Sequence, residues 1–228
     1  MRVAGLECVS AQRYDTCAVV GNGGINLQDD RNGEGIDAAD AVFRFNDGPV
    51  AHFEKHVGHK TTFRLINNAW TRYVHEHGHS TGKFSQGSLV LFGNGAKKSL
   101  TALCGDHTNP VIFMDTKLAA ASRGIYRKVF KRVAEVGAVA VSGRNQAPTG
   151  MEGIMFALSM CKQVRVYGFH VDTDSSVPYH YHDKVRGVTE AHSFNYQGLF
   201  LKIIAAARDD IVLCSPADIS KTPSECVV

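Results

Sequence analysis

An α/β fold built on a mostly parallel, twisted sheet with helices on both faces is what the chain predicts, on three observations. Short β-branched runs alternate with helical patterns along most of its 228 residues. The strands read as continuous apolar runs rather than alternating ones, as strands buried on both faces do. The first run ends in a glycine-rich turn, Gly21-Asn22-Gly23-Gly24, and parallel sheets bind ligands outside the carboxyl ends of their strands. Strands are expected near residues 16–20, 41–45, 61–66, 88–92, 111–114, 138–141, 164–167 and 211–214. Helices are expected near 118–136, 149–160 and 193–207, the clearest being MEGIMFALSM (151–160), opened by Pro148-Thr149-Gly150. Residues 70–87 (WTRYVHEHGHSTGKFSQG) read as an irregular loop, and the last ten residues as a frayed end. With no repeat, low-complexity stretch or linker, the reading is one domain over 1–228, its motif core spanning about 16–214.

Apolar residues make up 44% of the chain, enough for a full core, and charged residues 21%. The net charge of +3 is small and the basic residues form no long run, so charge does not indicate a nucleic-acid or membrane-surface partner. No run of 18 apolar residues spans a bilayer, and the start MRVAGLECVS lacks a signal-peptide core. The chain is therefore expected to carry neither signal nor anchor and to make no membrane contact itself. The six cysteines include no CxxC pair, which argues against a zinc ribbon and leaves room for one or two bridges in a secretory compartment.

Two apolar runs end on asparagines, Asn22 and Asn46. An amide offers two donors and an acceptor, which suits ribose hydroxyls or a base edge. Bare backbone N–H groups of the glycine turn are expected to face the same ligand. The plainer readings are a left-handed turn residue for Asn22 and a strand terminator for Asn46. Thr149-Gly150 stands at a helix start, where a hydroxyl and N–H groups suit a phosphate or carboxylate; a plain cap is the alternative. In Pro178-Tyr-His-Tyr-His-Asp183, His180 and His182 could ligate a metal with Asp183 assisting, but no third ligand is evident in the spacing. His180 could instead donate to a leaving phosphate, or be a surface histidine. His192, before an apolar helix, has the chemistry of a general base near neutrality or of an ordinary polar residue.

The order of these features resembles the animal-type sialyltransferases, eukaryotic glycosyltransferases with four motifs. Cys17-Ala-Val-Val-Gly-Asn-Gly-Gly through Asp37, Arg44-Phe-Asn46, Phe53-Glu54 and Val57-Gly-His-Lys-Thr61 look like the large motif. Pro148-Thr-Gly-Met151 through Cys161 and Val166-Tyr-Gly-Phe169 look like the small one, His180-Tyr181 like the third, and His192-Ser-Phe-Asn195 like the very small one. The resemblance implies a single Rossmann-like domain, a GT-A-like variant without the DxD metal motif. It implies an inverting, metal-independent transfer of sialic acid from CMP-sialic acid to a glycan hydroxyl, with the CMP-sugar as co-substrate and no cofactor. Asn22 and Asn46 would hold CMP, Thr149 and Gly150 the phosphate or carboxylate, and Gly168 would lie close to the nucleotide. His180 would help the phosphate leave, and His192 would be the base. Cys17 and Cys161 would be disulfide-bonded, and the compartment would be the Golgi lumen of the secretory pathway. The turn differs from the family's usual Gly-Asn-Ser-Gly, and Gln197 stands where the very small motif usually has glutamate.

Other readings keep part of this chemistry. Relatives outside animals are thought to use Kdo, also carried on CMP. A catalytically silent CMP- or glycan-binding protein would keep the pocket alone. An NAD-binding domain fits poorly, because the glycine fingerprint is incomplete and Asp37 is only a loose stand-in for the ribose acid.

Overall fold

The computed structural model describes residues 13–78, 82–103, 110–137, 145–169, 177–183, 192–214 and 226. Seven strands form one sheet: β1 (Tyr14–Val20), β2 (Ala41–Phe45), β3 (Phe63–Ile66), β4 (Ser88–Leu91), β5 (Val111–Phe113), β6 (Cys161–Tyr167) and β7 (Ile211–Cys214). The order is β5-β4-β3-β2-β1-β6-β7, and every neighbouring pair is parallel. The chain walks outward from β1 to β5 and then returns to the other side of β1 as β6 and β7. The order therefore reverses between β1 and β6, the kind of switch point at which parallel sheets bind ligands outside their strand carboxyl ends.

The helices are α1 (Asn32–Asp37), α2 (Glu54–Val57), α3 (Asn68–His77), α4 (Asn94–Lys97), α5 (Leu100–Leu103), α6 (Thr116–Val136), α7 (Thr149–Met160) and α8 (Phe194–Ala207). Successive strand residues point to opposite faces, and both faces are apolar. Cys17, Val19, Phe43, Phe45, Leu65, Val90 and Val166 pack with α6, α7 and α8. On the other face Ala18, Val20 and Val42 pack with Ile36 and Val57, and Leu89 and Leu91 pack with Val74 of α3. This two-sided burial is why the strands read as unbroken apolar runs. Aromatic edges add to it: Phe43 meets Phe156 of α7 at 6.0 Å, and Tyr126 of α6 meets Tyr196 of α8 at 4.8 Å.

Seven of the eight expected strands are present; the one expected near 138–141 lies outside the described residues. The expected loop at 70–87 is a misreading. Its first part belongs to α3, capped by the Asn67 side chain, which accepts from Ala69 N (3.0 Å) and Trp70 N (3.1 Å). Thr71 and Val74 are buried, and Trp70 packs beside them. The polar and histidine-rich composition hid this narrow stripe. The frayed end needs correction too: Cys226 is buried and bonded to Cys214. The other final residues lie outside the described part.

The Cys17–Cys161 bridge is present, with Cα atoms 6.1 Å apart across 144 residues of chain. It ties the middle of β1 to the junction where α7 ends and β6 begins.

Candidate functional site

The site stands at the carboxyl edge of the sheet, where the loops after β1, β2 and β6 meet the amino ends of α7 and α8. Each of these helices leads into a strand, so its amino end lies at that edge. There its unpaired N–H groups and partial positive charge favour an anion.

The glycine turn does not offer its N–H groups to a ligand as expected. Gly21 N donates to Tyr167 O (2.7 Å), Gly23 N to Gly168 O (3.0 Å) and Gly24 N to Pro178 O (3.1 Å). The glycines let the β1 and β6 loops lie against one another: a Cβ at Gly21 would stand 2.7 Å from Gly168 O. Gly168 has φ +70°, a left-handed conformation that glycine adopts without cost. Phe169 then folds its ring over Gly21 and against Gly150, and meets Phe45 at 6.0 Å. The predicted Gly150 is thus brought against the residue that follows the predicted Gly168, and the same ring covers Gly21, the neighbour of Asn22.

Asn22 is half-buried; its Nδ2 donates to Phe45 O (3.2 Å) and its carbonyl accepts from Tyr181 N (3.0 Å). Asn46, not Asn22, takes the left-handed conformation, at φ +48°. Asparagine tolerates that region better than other side chains. Its Oδ1 accepts from Asn67 N (3.1 Å), which leaves the Nδ2 end of the amide for another partner. Sequence reasoning missed what supports this loop. Arg64 on β3 is 1% exposed, and its Nη1 donates to Asn46 O and Gly48 O, both at 3.0 Å. Burial pushes its pKa down to about 10, so it stays charged at neutral pH. Arg64→Met leaves both carbonyls without their donor and is expected to cost about 2–4 kcal/mol. Urea denaturation should show that loss, with weaker nucleotide binding beside it; unchanged stability would refute the support role.

Thr149 is the first residue of α7, with Pro148 as its cap, and no side chain caps the helix. The plain-cap reading of Thr149 therefore fails, and the helix's amino end presents an uncapped first turn to the crevice. One turn in, Glu152 is buried against Arg123 (3.3 Å), and burial raises its pKa.

His192 pairs through an isolated antiparallel bridge with Asn145, just before Pro148. Its Nδ1 lies 3.2 Å from Gln146 O. A carbonyl only accepts, so that contact places the proton on Nδ1 and leaves a lone pair on Nε2. Gln197 sits on the first turn of α8 with its Nε2 buried and unpartnered.

His180 is held by its neighbours. Tyr181 is buried, its hydroxyl donates to Pro49 O (2.5 Å), and burial pushes its pKa up to about 12. Its ring packs on Phe53 at 5.0 Å. These contacts fasten residues 177–183 onto the loops that carry Asn22 and Asn46. His180 Nδ1 lies 2.8 Å from Asp183 Oδ2. An aromatic path links the two histidines: Tyr179 contacts His180 at 4.2 Å and Phe194 at 5.4 Å, and Phe194 stands 6.3 Å from His192. Asp37, by contrast, is turned away from any ribose: its carboxylate accepts from His59 N and Lys60 N at 2.8 Å.

His182 stacks on His180, ring centroids 5.0 Å apart. Burial first, and the neighbouring His180 second, push its pKa below the ordinary 6.5. The unfolded chain therefore takes up this proton before the folded one does. Stability from His182 is present above about pH 6.5 and is lost as the pH falls from there toward the folded value. Thermal midpoints measured across that window should fall less steeply for His182→Phe than for wild type. Equal slopes would refute it.

The carboxyl edge of the parallel sheet thus carries two amides, an uncapped helix end and two imidazoles, groups whose chemistry suits an anionic nucleotide ligand. The comparisons give the family. The model of glycosyltransferase family 29 (sialyltransferase) matches residues 3–207, and the chain belongs to that family. Sialyltransferase-like protein 5 of Oryza sativa subsp. japonica is 32% identical over 163 residues, covering 71% of this chain and 28% of that protein. A beta-1,6-galactosyltransferase of Arabidopsis thaliana is 28% identical over 207 residues, covering 83% and 50%. A mammalian sialyltransferase shares the fold at TM-score 0.59 and 21% identity, over 88% of this chain and 68% of that one. So does a Campylobacter jejuni sialyltransferase held with cytidine-5'-monophosphate, at TM-score 0.56 and 12% identity, over 95% and 88%. The chain spans 28–57% of the length of the first curated relatives it matches.

Proposed function

We propose that the chain is an inverting glycosyltransferase that moves sialic acid from CMP-sialic acid to a glycan hydroxyl without a metal, in the Golgi lumen. The observation that carries this reading is the pair of histidines linked through Tyr179 and Phe194, His192 with its Nδ1 turned to Gln146 O and His180 with its Nδ1 turned to Asp183. Family membership supports it, as does the fold shared with a sialyltransferase held with CMP. Two disulfides favour an oxidising compartment.

Asn22 and Asn46 hold the CMP moiety, and Gly168 lets the β6 loop lie close to it. Thr149 and Gly150 meet the donor's phosphate or carboxylate at the uncapped end of α7. The acceptor oxygen attacks the anomeric carbon on one face of the sugar while its proton passes to His192 Nε2. On the other face the bond to phosphate breaks, and the electron pair leaves with CMP. His180, as imidazolium, donates Nε2–H to the departing phosphate, while Asp183 receives Nδ1–H.

A second reading keeps this site and changes the sugar. The Arabidopsis relative is named a galactosyltransferase, and Kdo also travels on CMP. A donor panel of CMP-sialic acid, CMP-Kdo and UDP-galactose, run in EDTA with mixed glycan acceptors, tests both. Transfer from CMP-sialic acid supports the first reading, and transfer from another donor alone replaces it. Binding of CMP with no transfer from any donor marks a silent binding protein.

A further inference from the structure

We propose that His180, His182 and Asp183 form a binding site for a transition-metal cation of the Zn2+ class, and that filling it inhibits transfer.

One ligand atom from each of the three residues lies within 4.8 Å of the other two. His180 Nδ1 is 2.8 Å and His182 Nε2 is 3.5 Å from Asp183 Oδ2. Ligand atoms held tetrahedrally at zinc bond lengths of about 2.0–2.2 Å stand roughly 3.3–3.6 Å apart. The cluster needs only sub-ångström adjustment along these two pairs. Asp183, expected from the sequence only to assist, lies within reach as the third ligand, brought round by the turn that Tyr181 anchors.

His182 supplies an independent reason for a ligand. Its side chain is 8% exposed, and neither ring nitrogen has a hydrogen-bond partner. At 3.5 Å the Asp183 oxygen is beyond hydrogen-bond range. A buried imidazole without a partner is costly, and a cation on Nε2 would satisfy it. Asp47 lies close enough to act on the same imidazole, while its neighbour Lys83 opposes it. Two imidazoles and one carboxylate suit Zn2+ or Co2+ rather than Mg2+ or Ca2+. Three protein ligands leave a fourth position for water or a phosphate oxygen.

The inhibitory half rests on the role of His180 proposed above. A metal on Nδ1 takes the position in which that atom now meets Asp183 Oδ2 at 2.8 Å. His180 is then held by the ion instead of by Asp183 and no longer serves the departing phosphate as proposed. Metal-independent turnover and metal inhibition are compatible, because the ion is not part of the reaction.

The test is titration of the metal-free chain with Co2+, followed by visible absorption, on wild type and on His182→Ala, with CMP binding measured alongside. One equivalent should produce an intense d–d band that Zn2+ abolishes. The band should be lost in His182→Ala while CMP still binds. No band in wild type, or an equal band in the variant, overturns the site. Transfer assays then add Zn2+ and afterwards EDTA: reversible loss of transfer in wild type, at least tenfold weaker in His182→Ala, supports inhibition. Unchanged transfer by the zinc-loaded enzyme overturns it. The cobalt band needs no donor, so its outcome is separate from that of the transferase reading.

Discussion

His192→Ala lowers transfer by about 10²–10⁴-fold while CMP binding holds, the range a positioned general base contributes. The contact of Nδ1 with Gln146 O leaves Nε2 as the nitrogen that takes the acceptor's proton in the proposed mechanism. The bridge between Asn145 and His192 keeps that nitrogen beside the amino end of α7. Nothing in this arrangement involves the amides proposed to hold CMP on the β1 and β2 loops, so the loss is expected to fall on kcat and to leave nucleotide affinity within experimental error. Turnover near wild type would refute the assignment.

Cys17→Ala destabilises the fold by about 4–5 kcal/mol in the chain-entropy account, because the bridge closes a loop across 144 residues. Cys214→Ala opens a loop of 12 residues and costs about 3 kcal/mol by the same argument. The larger effect also reaches the site. The Cys17 bridge fixes β1, which leads to Asn22, against the end of α7, whose other end carries Thr149. Chemical denaturation of both variants under oxidising conditions gives the ranking. A Cys17→Ala protein as stable as wild type, or less affected than Cys214→Ala, would contradict it.

The strands were legible because their burial on both faces writes itself into the sequence as unbroken apolar runs. Helix α7 emerged at its observed limits because a proline opens it and a nearly continuous apolar stretch follows. Helix α3 was not legible: its buried face is narrow, and histidines and charges fill the rest. The candidate site was legible as a set of residue types in order, and the fold packs Phe169, which follows Gly168, against Gly21 and Gly150. What stayed hidden depends on distant partners. The glycine-turn N–H groups are taken by carbonyls of Tyr167, Gly168 and Pro178, more than 140 residues away. Arg64 lies two positions from the end of an ordinary apolar strand, and only the fold shows that it holds the Asn46 loop. Asp183 as the partner of His180, and Gln146 as that of His192, likewise follow from turns no local pattern records. The Cys214–Cys226 bridge was invisible because spacing alone does not select a partner.

Calorimetric titration with CMP in EDTA tests whether a CMP site lies where β1 and β2 end. Wild type, Asn46→Gly and Asn46→Ala are compared. Glycine keeps the φ of +48° without strain and removes only the amide, whereas alanine removes the amide and strains the turn. Wild type is expected to bind CMP in EDTA. Asn46→Gly should bind about tenfold more weakly, the worth of about one hydrogen bond, and Asn46→Ala more weakly still. A folded wild type that ignores CMP, or an Asn46→Gly protein that binds it unchanged, would contradict the site.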